Sequence, residues 1–354
     1  MQEKTDLKGK DLAELKALMS SVDEKPFRAG QLYQWMYKFG VSDFNLMTNL
    51  PVGSRQKFES LFHVSTLKSV REAVSLDGTA KFLWKLADGK DIESVLIPDD
   101  RRLTACVSSQ VGCALACRFC ATGTMGLTRN LTPGEIYDQV FMMNRWAMAT
   151  RGQQITNIVF MGMGEPMMNL QSVMKGIDLI ADPAGVAISR RRITISTAGV
   201  AHKIRELADL ETKTLLAVSL HAVFPDKRNS IMPINKGTGL EELLESVVYY
   251  CRKTGQRVTY EYVMFQDFND GPEDAKRLAD ICRLAPSKVN IILYNPIEGA
   301  PFARVSQDRL NAFIRILVDR HVTVVVRQSR GQDIDAACGQ LAVRNQKEGQ
   351  LVSH

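Results

Sequence analysis

From residue 103 onward, short apolar runs alternate with stretches of helical spacing. The runs are LTACVSS, TNIVFMG, RRITIST, LLAVSL, RVTYEYVMF, KVNIILYN and VTVVVRQ. The helical stretches begin near Pro133, Leu170, Val200, Gly239, Pro272 and Ser306. Nearly continuous apolar strands rich in Val, Ile and Thr are typical of a parallel sheet that helices cover. Alternating strands and helices form either a doubly wound sheet or a barrel. Six or seven units in about 225 residues are fewer than a closed barrel needs, so the pattern favours an α/β fold with a partial (β/α)6 barrel.

The chain before residue 103 has two other patterns. Three helical patterns in residues 1–65 predict a small N-terminal helical domain. Residues 66–102 contain TLKSVREAVS, KFLWKLADG and IESVLIP, separated by turn signals, and predict an antiparallel strand extension. We expect the barrel to span 103–342 and a polar tail to span 343–354.

Composition limits the protein class. The 354 residues are 45% hydrophobic and 24% charged, which is ordinary for a folded globular protein. No apolar run approaches the roughly 18 residues of a membrane helix, and MQEKTDLKGK has no secretory signal pattern. We therefore expect a cytoplasmic protein with no membrane association. The net charge of +6 permits a nucleic-acid partner without requiring one.

Cysteine spacing is the strongest chemical signal. Cys113, Cys117 and Cys120 form a C-x3-C-x2-C motif directly after the first barrel strand. Three thiolates on one loop can hold three corners of an iron–sulfur cube and leave the fourth iron open to another ligand. A structural zinc ion is the alternative. It would need a fourth ligand, and Cys106 and His221 are the residues to consider.

Polar residues follow several predicted strands, where barrel folds place functional groups. A glycine-rich turn, MGMGEP, follows the second strand and contains Gly164 and Glu165; its ordinary role is a strand-to-helix turn. Further polar strand ends are Ser196, the segment Ser219-Leu220-His221, and Asn295. Together they predict a ring of hydrogen-bonding groups suited to a ribose and an adenine.

The motif with Phe119 before its last cysteine resembles that of the radical S-adenosylmethionine superfamily. The resemblance implies a 4Fe–4S cluster on Cys113, Cys117 and Cys120, with S-adenosylmethionine bound at the open iron. It also implies that Gly164 and Glu165 receive the methionine amino group. The remaining cofactor-binding residues would be the polar strand ends: Ser196, Ser219, Leu220, His221 and Asn295.

A longer resemblance covers nearly the whole chain. EKPFRAGQLYQWMY, SDFNLMTNLP, RRRITISTAGV, MPINK, NPIEGAPF and DIDAACGQLA are similar to segments of the RlmN/Cfr family of RNA adenine C-methyltransferases. In that family one cysteine, matching Cys338, is methylated and carries the methyl group to the adenine carbon. A second, matching Cys106, then attacks the sulfur of Cys338 and leaves a disulfide. Glu93 matches the family's proton acceptor; without the resemblance it would be one exposed acid among many.

The resemblance implies substrates and partners. An RlmN-like enzyme methylates C2 of an adenosine in 23S rRNA, in the peptidyl transferase centre region, and the adenosine 3′ of the anticodon in tRNAs. It uses two S-adenosylmethionine molecules per turnover and an electron donor such as flavodoxin, and a monomer is expected. A Cfr-like enzyme would instead methylate C8 of the rRNA adenosine and confer antibiotic resistance. A non-catalytic RNA-binding protein with a structural cluster is a third alternative, which the outlying Cys106 and Cys338 disfavour.

If RNA is the substrate, basic residues near the active mouth should contact phosphates. The candidates follow strands or the cysteine loop: Arg118, Arg129, Lys227, Arg228, Lys236, Arg327 and Arg330. The N-terminal helical domain, which interleaves basic and aromatic residues, is a second candidate RNA contact. The same pattern equally suits a helix face packed on the core with a solvated edge.

Overall fold

The structure, a computed structural model, describes residues 4–343. The predicted polar tail therefore lies outside the described residues from 344 onward. None of the helices in the described range is both long and apolar enough to cross a membrane.

The N-terminal segment, described from residue 4, is helical as predicted. Helices α1, α2 and α3 span Leu12–Ser21, Arg28–Tyr33 and Val52–Leu61. Strands β1 and β2, Thr5–Asp6 and Phe62–His63, pair in parallel. The Asp11 side chain caps α1 by accepting from the Glu14 amide, and Pro51 stands immediately before α3. Both helix starts thus follow from local sequence.

An antiparallel meander follows, also as predicted. Strands β3, β4 and β5 span Lys68–Val74, Ala80–Lys85 and Asp91–Asp99. They pair in sequence order, and β5 then pairs antiparallel with the first barrel strand, β6, Arg102–Cys106. The meander is therefore continuous with the barrel sheet.

A short hairpin interrupts the alternation after β6. Its strands, β7 and β8, span Gln110–Cys113 and Gly126–Asn130 and pair antiparallel. The sequence analysis did not predict this hairpin, because its residues lack an apolar alternation.

The remaining strands are parallel to β6. They are β9 Asn157–Phe160, β10 Ile193–Thr197, β11 Leu215–Ser219, β12 Val258–Met264, β13 Ser287–Leu293 and β14 Val324–Arg327. Within residues 4–343 the large sheet has the order β14-β13-β12-β11-β10-β9-β6-β5-β4-β3. Edge strands β14 and β3 do not pair in this part of the chain, so the barrel is open, as predicted.

Helices connect the parallel strands. They are α4 Pro133–Arg151, α5 Leu170–Ala181, α6 Ala201–Asp209, α7 Pro225–Ile231, α8 Leu240–Thr254, α9 Pro272–Cys282 and α10 Gln307–Asp319. The predicted helix starts agree with the observed first residues or caps. Only α7 among these was not predicted, because PDKRNSI has no apolar period.

The core lies between the sheet and these helices. In β10, Ile193 and Ile195 are fully buried on the helix-facing side. Thr194 and Ser196 alternate with them and line cavities on the inner side of the sheet. The carboxyl ends of the parallel strands meet at one edge, where the candidate site lies.

Candidate active site

The cysteine motif occupies the loop of the β7–β8 hairpin. Cys113 ends β7, and Cys117 and Cys120 follow it. Ala116 has φ 50°, a left-handed conformation that is unfavourable for a residue with a side chain. A Cβ atom at Gly123 would lie 2.9 Å from the carbonyl oxygen of Cys117. The loop backbone is therefore bent tightly back on itself.

The cysteine loop forms one wall of a cavity at the carboxyl ends of the strands, which we call the upper cavity. All three motif cysteines line it. Its other lining residues include predicted site residues from several strand ends: Gly164, Glu165, Ser196, Ser219, His221, Asn295 and Cys338. The structure thus brings together residues that are up to 225 positions apart, from Cys113 to Cys338.

The thiols of this cavity are the ligand type that iron–sulfur clusters use. Cys113, Cys117 and Cys120 line the same cavity. No group of three or more His, Cys, Asp or Glu side chains in residues 4–343 is arranged to hold one metal ion. Burial raises the pKa of Cys113 to about 11 and raises that of Cys117 further. Metal binding would release these protons, since thiolates are the ligands.

The turn after β9 places a carboxylate against the cysteine loop. Gly164 has φ 99°, and a Cβ there would lie 2.5 Å from Cβ of Gln110, so only glycine fits. The Glu165 carboxylate accepts hydrogen bonds from the amides of Ala198 at 2.8 Å and Met167 at 3.0 Å. Burial raises its pKa to about 6 despite these bonds, so the group is mostly ionised at neutral pH. A buried carboxylate of this kind can accept from a ligand ammonium group.

His221 contributes a neutral ring to the upper cavity. Its Nδ1 accepts a 3.1 Å hydrogen bond from the amide of Val263, and its ring packs edge-on against Phe119. Burial, together with the nearby Arg228 guanidinium, lowers the pKa of His221 to about 3. Because Nδ1 accepts, the proton of the neutral ring is on Nε2, which leaves one N–H donor for a ligand.

Three of the predicted polar strand ends line the upper cavity. Ser196 and Ser219 lie there at the ends of β10 and β11. Asn295 follows β13; its Nδ2 donates to the carbonyl of Cys338 at 3.3 Å, and its Oδ1 accepts from Gln332 at 2.8 Å. Asn295 therefore contacts the loop of Cys338 as well as the cavity.

Leu220 is placed differently. Its side chain is fully buried and lines neither this cavity nor the one described next. Its amide donates to the carbonyl of Glu261 at 3.0 Å, and its carbonyl accepts from Nε of Arg228 at 3.2 Å. Both backbone polar groups of Leu220 are therefore hydrogen-bonded within the protein. Leu220 was predicted to bind the cofactor together with Ser219 and His221.

Cys106 and Cys338 line a second cavity of about 710 Å³, which we call the lower cavity. It lies inside the open barrel and shares several lining residues with the upper cavity, including Cys120, Glu261 and Cys338. Burial raises the pKa of Cys106 to about 12, and the neighbouring Cys338 adds to the shift. Both cysteines are free thiols in the structure.

An arginine–glutamate pair lies beside the two thiols. Nη1 of Arg327 is 3.6 Å from Oε2 of Glu261, and Asn290 donates to the other carboxylate oxygen at 2.8 Å. The positive charge of Arg327 opposes the effect of burial on the pKa of both Cys106 and Cys338. The sequence predicts Arg327 as a phosphate contact, whereas no local pattern marks Glu261 as a site residue.

The Cys338 loop is fixed from two sides. On one side, Oγ1 of Thr122 in the cysteine loop donates to the carbonyl of Leu341 at 2.6 Å. On the other, the carboxylate of Asp77 accepts from the amide of Gly331 at 2.9 Å. Burial raises the pKa of Asp77, but hydrogen bonds, including that from Gly331, bring it to about 2. The turn between β3 and β4 is thus an anchor for the loop.

Glu93 lies in β5 and is not the exposed acid that composition alone suggests. It is 5% exposed, and it lines neither cavity. One carboxylate oxygen is 3.0 Å from Nζ of Lys81, and the other accepts from the amide of Ala342 at 3.0 Å. Burial raises its pKa, and Lys81 opposes that shift.

The predicted phosphate contacts are only partly available. Arg228 is fully buried and donates to Asn235 Oδ1 at 2.6 Å and to backbone carbonyls, so the prediction that it contacts RNA is wrong. Arg129 is held by Asp88 and Glu135. Unanticipated cations line the lower cavity instead: Arg102, Arg257 and Lys288. They could have been predicted from the alternation of side chains along β6, β13 and the start of β12, because every second residue there faces the inside of the barrel.

Two family descriptions match the chain. Residues 5–64 match the ribosomal RNA large subunit methyltransferase N-terminal domain, and residues 107–279 match the radical SAM superfamily. The second range contains the cysteine loop and the strand ends of the upper cavity up to His221.

Curated relatives are similar over nearly the full length. A Salinibacter ruber protein named probable dual-specificity RNA methyltransferase RlmN is 47% identical, over 96% of this chain and 95% of its own. An Anaeromyxobacter dehalogenans protein named dual-specificity RNA methyltransferase RlmN is 45% identical, over 95% of this chain and 91% of its own.

A solved structure has the same fold. The crystal structure of a radical SAM methyltransferase from Sphaerobacter thermophilus superposes with a TM-score of 0.90 and 42% identity. It covers 95% of this chain and 99% of that one. The open sheet, the hairpin and the N-terminal helices therefore belong to a shared architecture.

Proposed function

The chain belongs to the RlmN family of radical S-adenosylmethionine RNA methyltransferases, and on that basis we propose that it methylates C2 of adenosine. The proposed substrates are an adenosine of 23S rRNA, in the peptidyl transferase centre region, and the adenosine 3′ of the anticodon in tRNAs. The observation that carries the proposal is the presence of Cys106 and Cys338 in one cavity that adjoins the cysteine loop.

Superfamily membership implies a 4Fe–4S cluster and S-adenosylmethionine. The residues fit both groups: Cys113, Cys117 and Cys120 would hold the cluster, and the Glu165 carboxylate and the free Nε2–H of His221 would bind the methionine and adenosine parts. When bound, these groups supply a methyl cation equivalent and a 5′-deoxyadenosyl radical, from two S-adenosylmethionine molecules per turnover.

Cys338 and Cys106 have different roles in the proposed reaction. In the proposed sequence the thiolate of Cys338 accepts the methyl group, and one C–H bond of that group is later broken as its hydrogen atom passes to the 5′-deoxyadenosyl radical. The remaining methylene carbon bonds to the adenine carbon, which gives up its proton, and the one electron left over would return to the oxidised cluster. The thiolate of Cys106 then attacks the sulfur of Cys338, the carbon–sulfur bond breaks, and the carbon takes a proton to complete the methyl group. A Cys106–Cys338 disulfide remains and needs two electrons and two protons from a thiol reductant. The positive charge of Arg327 favours the thiolate form of both cysteines, which is the form that acts as the nucleophile.

Glu93 would accept the proton from the adenine carbon. Burial raises its pKa, and a carboxylate with a raised pKa is a stronger proton acceptor than an ordinary one. In the structure, however, its carboxylate is bonded to Lys81 and to the amide of Ala342. This role therefore requires the segment around Ala342 to move when RNA binds.

The supporting reactions follow from the same proposal. One-electron reduction of the cluster would come from a donor such as flavodoxin. The protein would act as a monomer in the cytoplasm, where ribosomes and tRNAs are found.

Product identity tests the proposal. Anaerobically reconstituted protein is incubated with S-adenosylmethionine, a reductant and fragments of 23S rRNA, and nucleosides are identified by mass spectrometry. We expect 2-methyladenosine. 8-Methyladenosine would instead assign the C8 reaction, and absence of any methyladenosine with a loaded cluster would contradict both.

A further inference from the structure

The amino ends of three barrel strands carry cations that point into the lower cavity. Arg102 is the first residue of β6, Arg257 immediately precedes β12, and Lys288 is the second residue of β13. Since these strands are parallel, the three side chains lie at the same edge of the sheet, opposite the cysteine loop. All three line the lower cavity.

The side-chain alternation of β6 links this edge to the reactive thiols. Arg102, Thr104 and Cys106 share the inward face of β6, and each lines the lower cavity. Four residues of strand span about 13 Å from Arg102 to Cys106. An arginine side chain and one extruded nucleotide can bridge such a distance.

The cations are free to bind a ligand. Within the described part of the chain, the side chains of Arg102, Arg257 and Lys288 make neither a hydrogen bond nor an ion pair. Arg102 and Arg257 are exposed, and Lys288 is partly buried. Burial lowers the pKa of Lys288, Arg257 and Arg102 lower it further, and the Glu261 carboxylate opposes these shifts. The three cations are therefore close enough to repel one another. An anion would relieve that repulsion.

The cavity above these cations has polar as well as apolar lining residues. Closed barrels fill their interior with branched apolar side chains. Here the inward positions between the cations and the thiols include hydrogen-bonding side chains: Thr104, Asn157, Thr194, Thr259 and Asn290. A volume of about 710 Å³ lies within the range of small-ligand pockets and can admit a nucleotide.

The charge of the lining favours an anion. Its cations are Arg102, Arg257, Lys288, Arg327 and Arg330. Its carboxylates are Asp99 at the lower end and Glu261 at the upper end, and Glu261 is already paired with Arg327. The cation excess is therefore concentrated where the cavity opens at the amino edge.

We infer that Arg102, Arg257 and Lys288 form a phosphate-binding rim, and that the target adenosine enters the barrel past this rim with its flanking phosphodiesters bound there. The inference rests on the proposed function for the identity of the RNA, and it adds the direction of entry and the residues that hold the strand. The target base must leave its stack to reach Cys338, and fixed phosphates on either side would hold it extruded.

Salt dependence of RNA binding tests the rim. The probe is a fluorescein-labelled RNA stem–loop with one unpaired adenosine in the loop, bound to the reconstituted protein at a series of salt concentrations. Each phosphate contact to single-stranded RNA contributes about 0.7 to the slope of log K against log salt. The slope is negative, and the variant R102Q/R257Q/K288Q should reduce its magnitude by about 2.

A matched control removes three cations from the outer helices, as K276Q/R277Q/R315Q. These side chains are exposed on α9 and α10 and line neither cavity. The control should keep the wild-type slope. If the slope falls equally in both variants, general surface charge explains the effect and the inference is wrong. An unchanged slope in the rim variant would also overturn it.

A second arm replaces one phosphate beside the unpaired adenosine by an uncharged methylphosphonate. We expect weaker binding by wild-type protein and a much smaller effect on the rim variant, because the two changes remove the same contact. Full additivity would overturn the inference. If the triple variant does not fold, the single variants R102Q and K288Q should each lower the slope by about 0.7.

The two proposals fail in different ways. If wild-type protein yields no methyladenosine, the proposed function fails, while the slopes still decide whether the rim binds phosphate. If 2-methyladenosine forms and the slopes of the rim variant and wild type agree, only the rim is wrong.

Discussion

The backbone amide of Ala121 donates a 2.7 Å hydrogen bond to the carbonyl oxygen of Gly339. Ala121 follows the last cysteine of the hairpin loop, and Gly339 follows Cys338. The loop that would hold the cluster therefore also sets the position of the thiol that would carry the methyl group. Loosening this junction should impair transfer without removing any reactive group.

Thr122→Val tests the junction. Oγ1 of Thr122 donates to the carbonyl of Leu341, and the residue is 3% exposed. Removing the donor leaves a buried carbonyl unpaired, at a cost of about 1–3 kcal/mol. We expect faster amide hydrogen exchange in residues 337–341 and roughly tenfold slower RNA methylation.

The control for that change is Thr124→Val on the same loop. Thr124 is exposed, and its hydroxyl makes only a local bond to the carbonyl of Ala121. Exchange in residues 337–341 should remain at the wild-type rate. If both variants behave alike, the bond between Thr122 and Leu341 does not position the Cys338 loop.

Cys106→Ala should trap an intermediate. Without the resolving thiol, the carbon–sulfur bond between RNA and Cys338 persists, so labelled RNA should migrate with the protein on a denaturing gel. Cys338→Ala should give neither adduct nor product. Cys282→Ala, in α9 and outside both cavities, is the control and should methylate normally. Full methylation by Cys338→Ala would refute the two-cysteine mechanism for this chain.

His221 should make stability depend on pH. Its pKa is about 3 in the folded protein, against an ordinary value of 6.5. Stabilisation by the neutral ring is therefore complete above pH about 6.5 and is lost as the pH falls toward 3, at no more than about 1.4 kcal/mol per pH unit.

The comparison is with His221→Gln, whose amide oxygen can still accept from Val263. Urea unfolding between pH 7.5 and 5 should show a smaller loss of stability in the variant. His202→Gln, on the exposed side of α6, controls for loss of a histidine. Equal losses in His221→Gln and wild type would show that the folded protein protonates His221 readily.

Arg228→Lys should destabilise the protein. Lysine cannot reproduce the guanidinium bonds to Asn235 and to the carbonyls of Ala198 and Leu220. Two or more buried acceptors would lose their donor, at about 1–3 kcal/mol each. Thermal unfolding should show a Tm lower by roughly 3 °C or more. Arg315→Lys, on the surface of α10, should leave Tm unchanged; weaker RNA binding with an unchanged Tm in Arg228→Lys would restore its predicted role.

The regular elements were predictable because local patterns decide them. The starts of α4, α5 and α9 coincide with Pro133, Leu170 and Pro272. Helix α7 was not predicted, because its seven residues have no apolar period and its place depends on the buried bonds of Arg228. Local spacing cannot reveal an element that long-range contacts hold in place.

The candidate site was predictable as a list of residues but not as two cavities. Thr122 and Leu341 are 219 positions apart, and nothing near either of them predicts their contact. The run RVTYEYVMF suggests a strand buried on both faces, whereas Glu261 faces a polar cavity. The overall apolar composition of this strand does not reveal that one of its faces lines a cavity while the other packs in the core.

That division between faces has a consequence for how such a chain can change. In β12, Tyr260 and Tyr262 are buried against the helices, while Thr259 and Glu261 line the lower cavity. Neighbouring residues of one strand thus meet different physical requirements, packing at one position and contact with the cavity at the next. We therefore expect a substitution at Thr259 to change the cavity more than the helix packing, whereas one at Tyr260 should disturb the core.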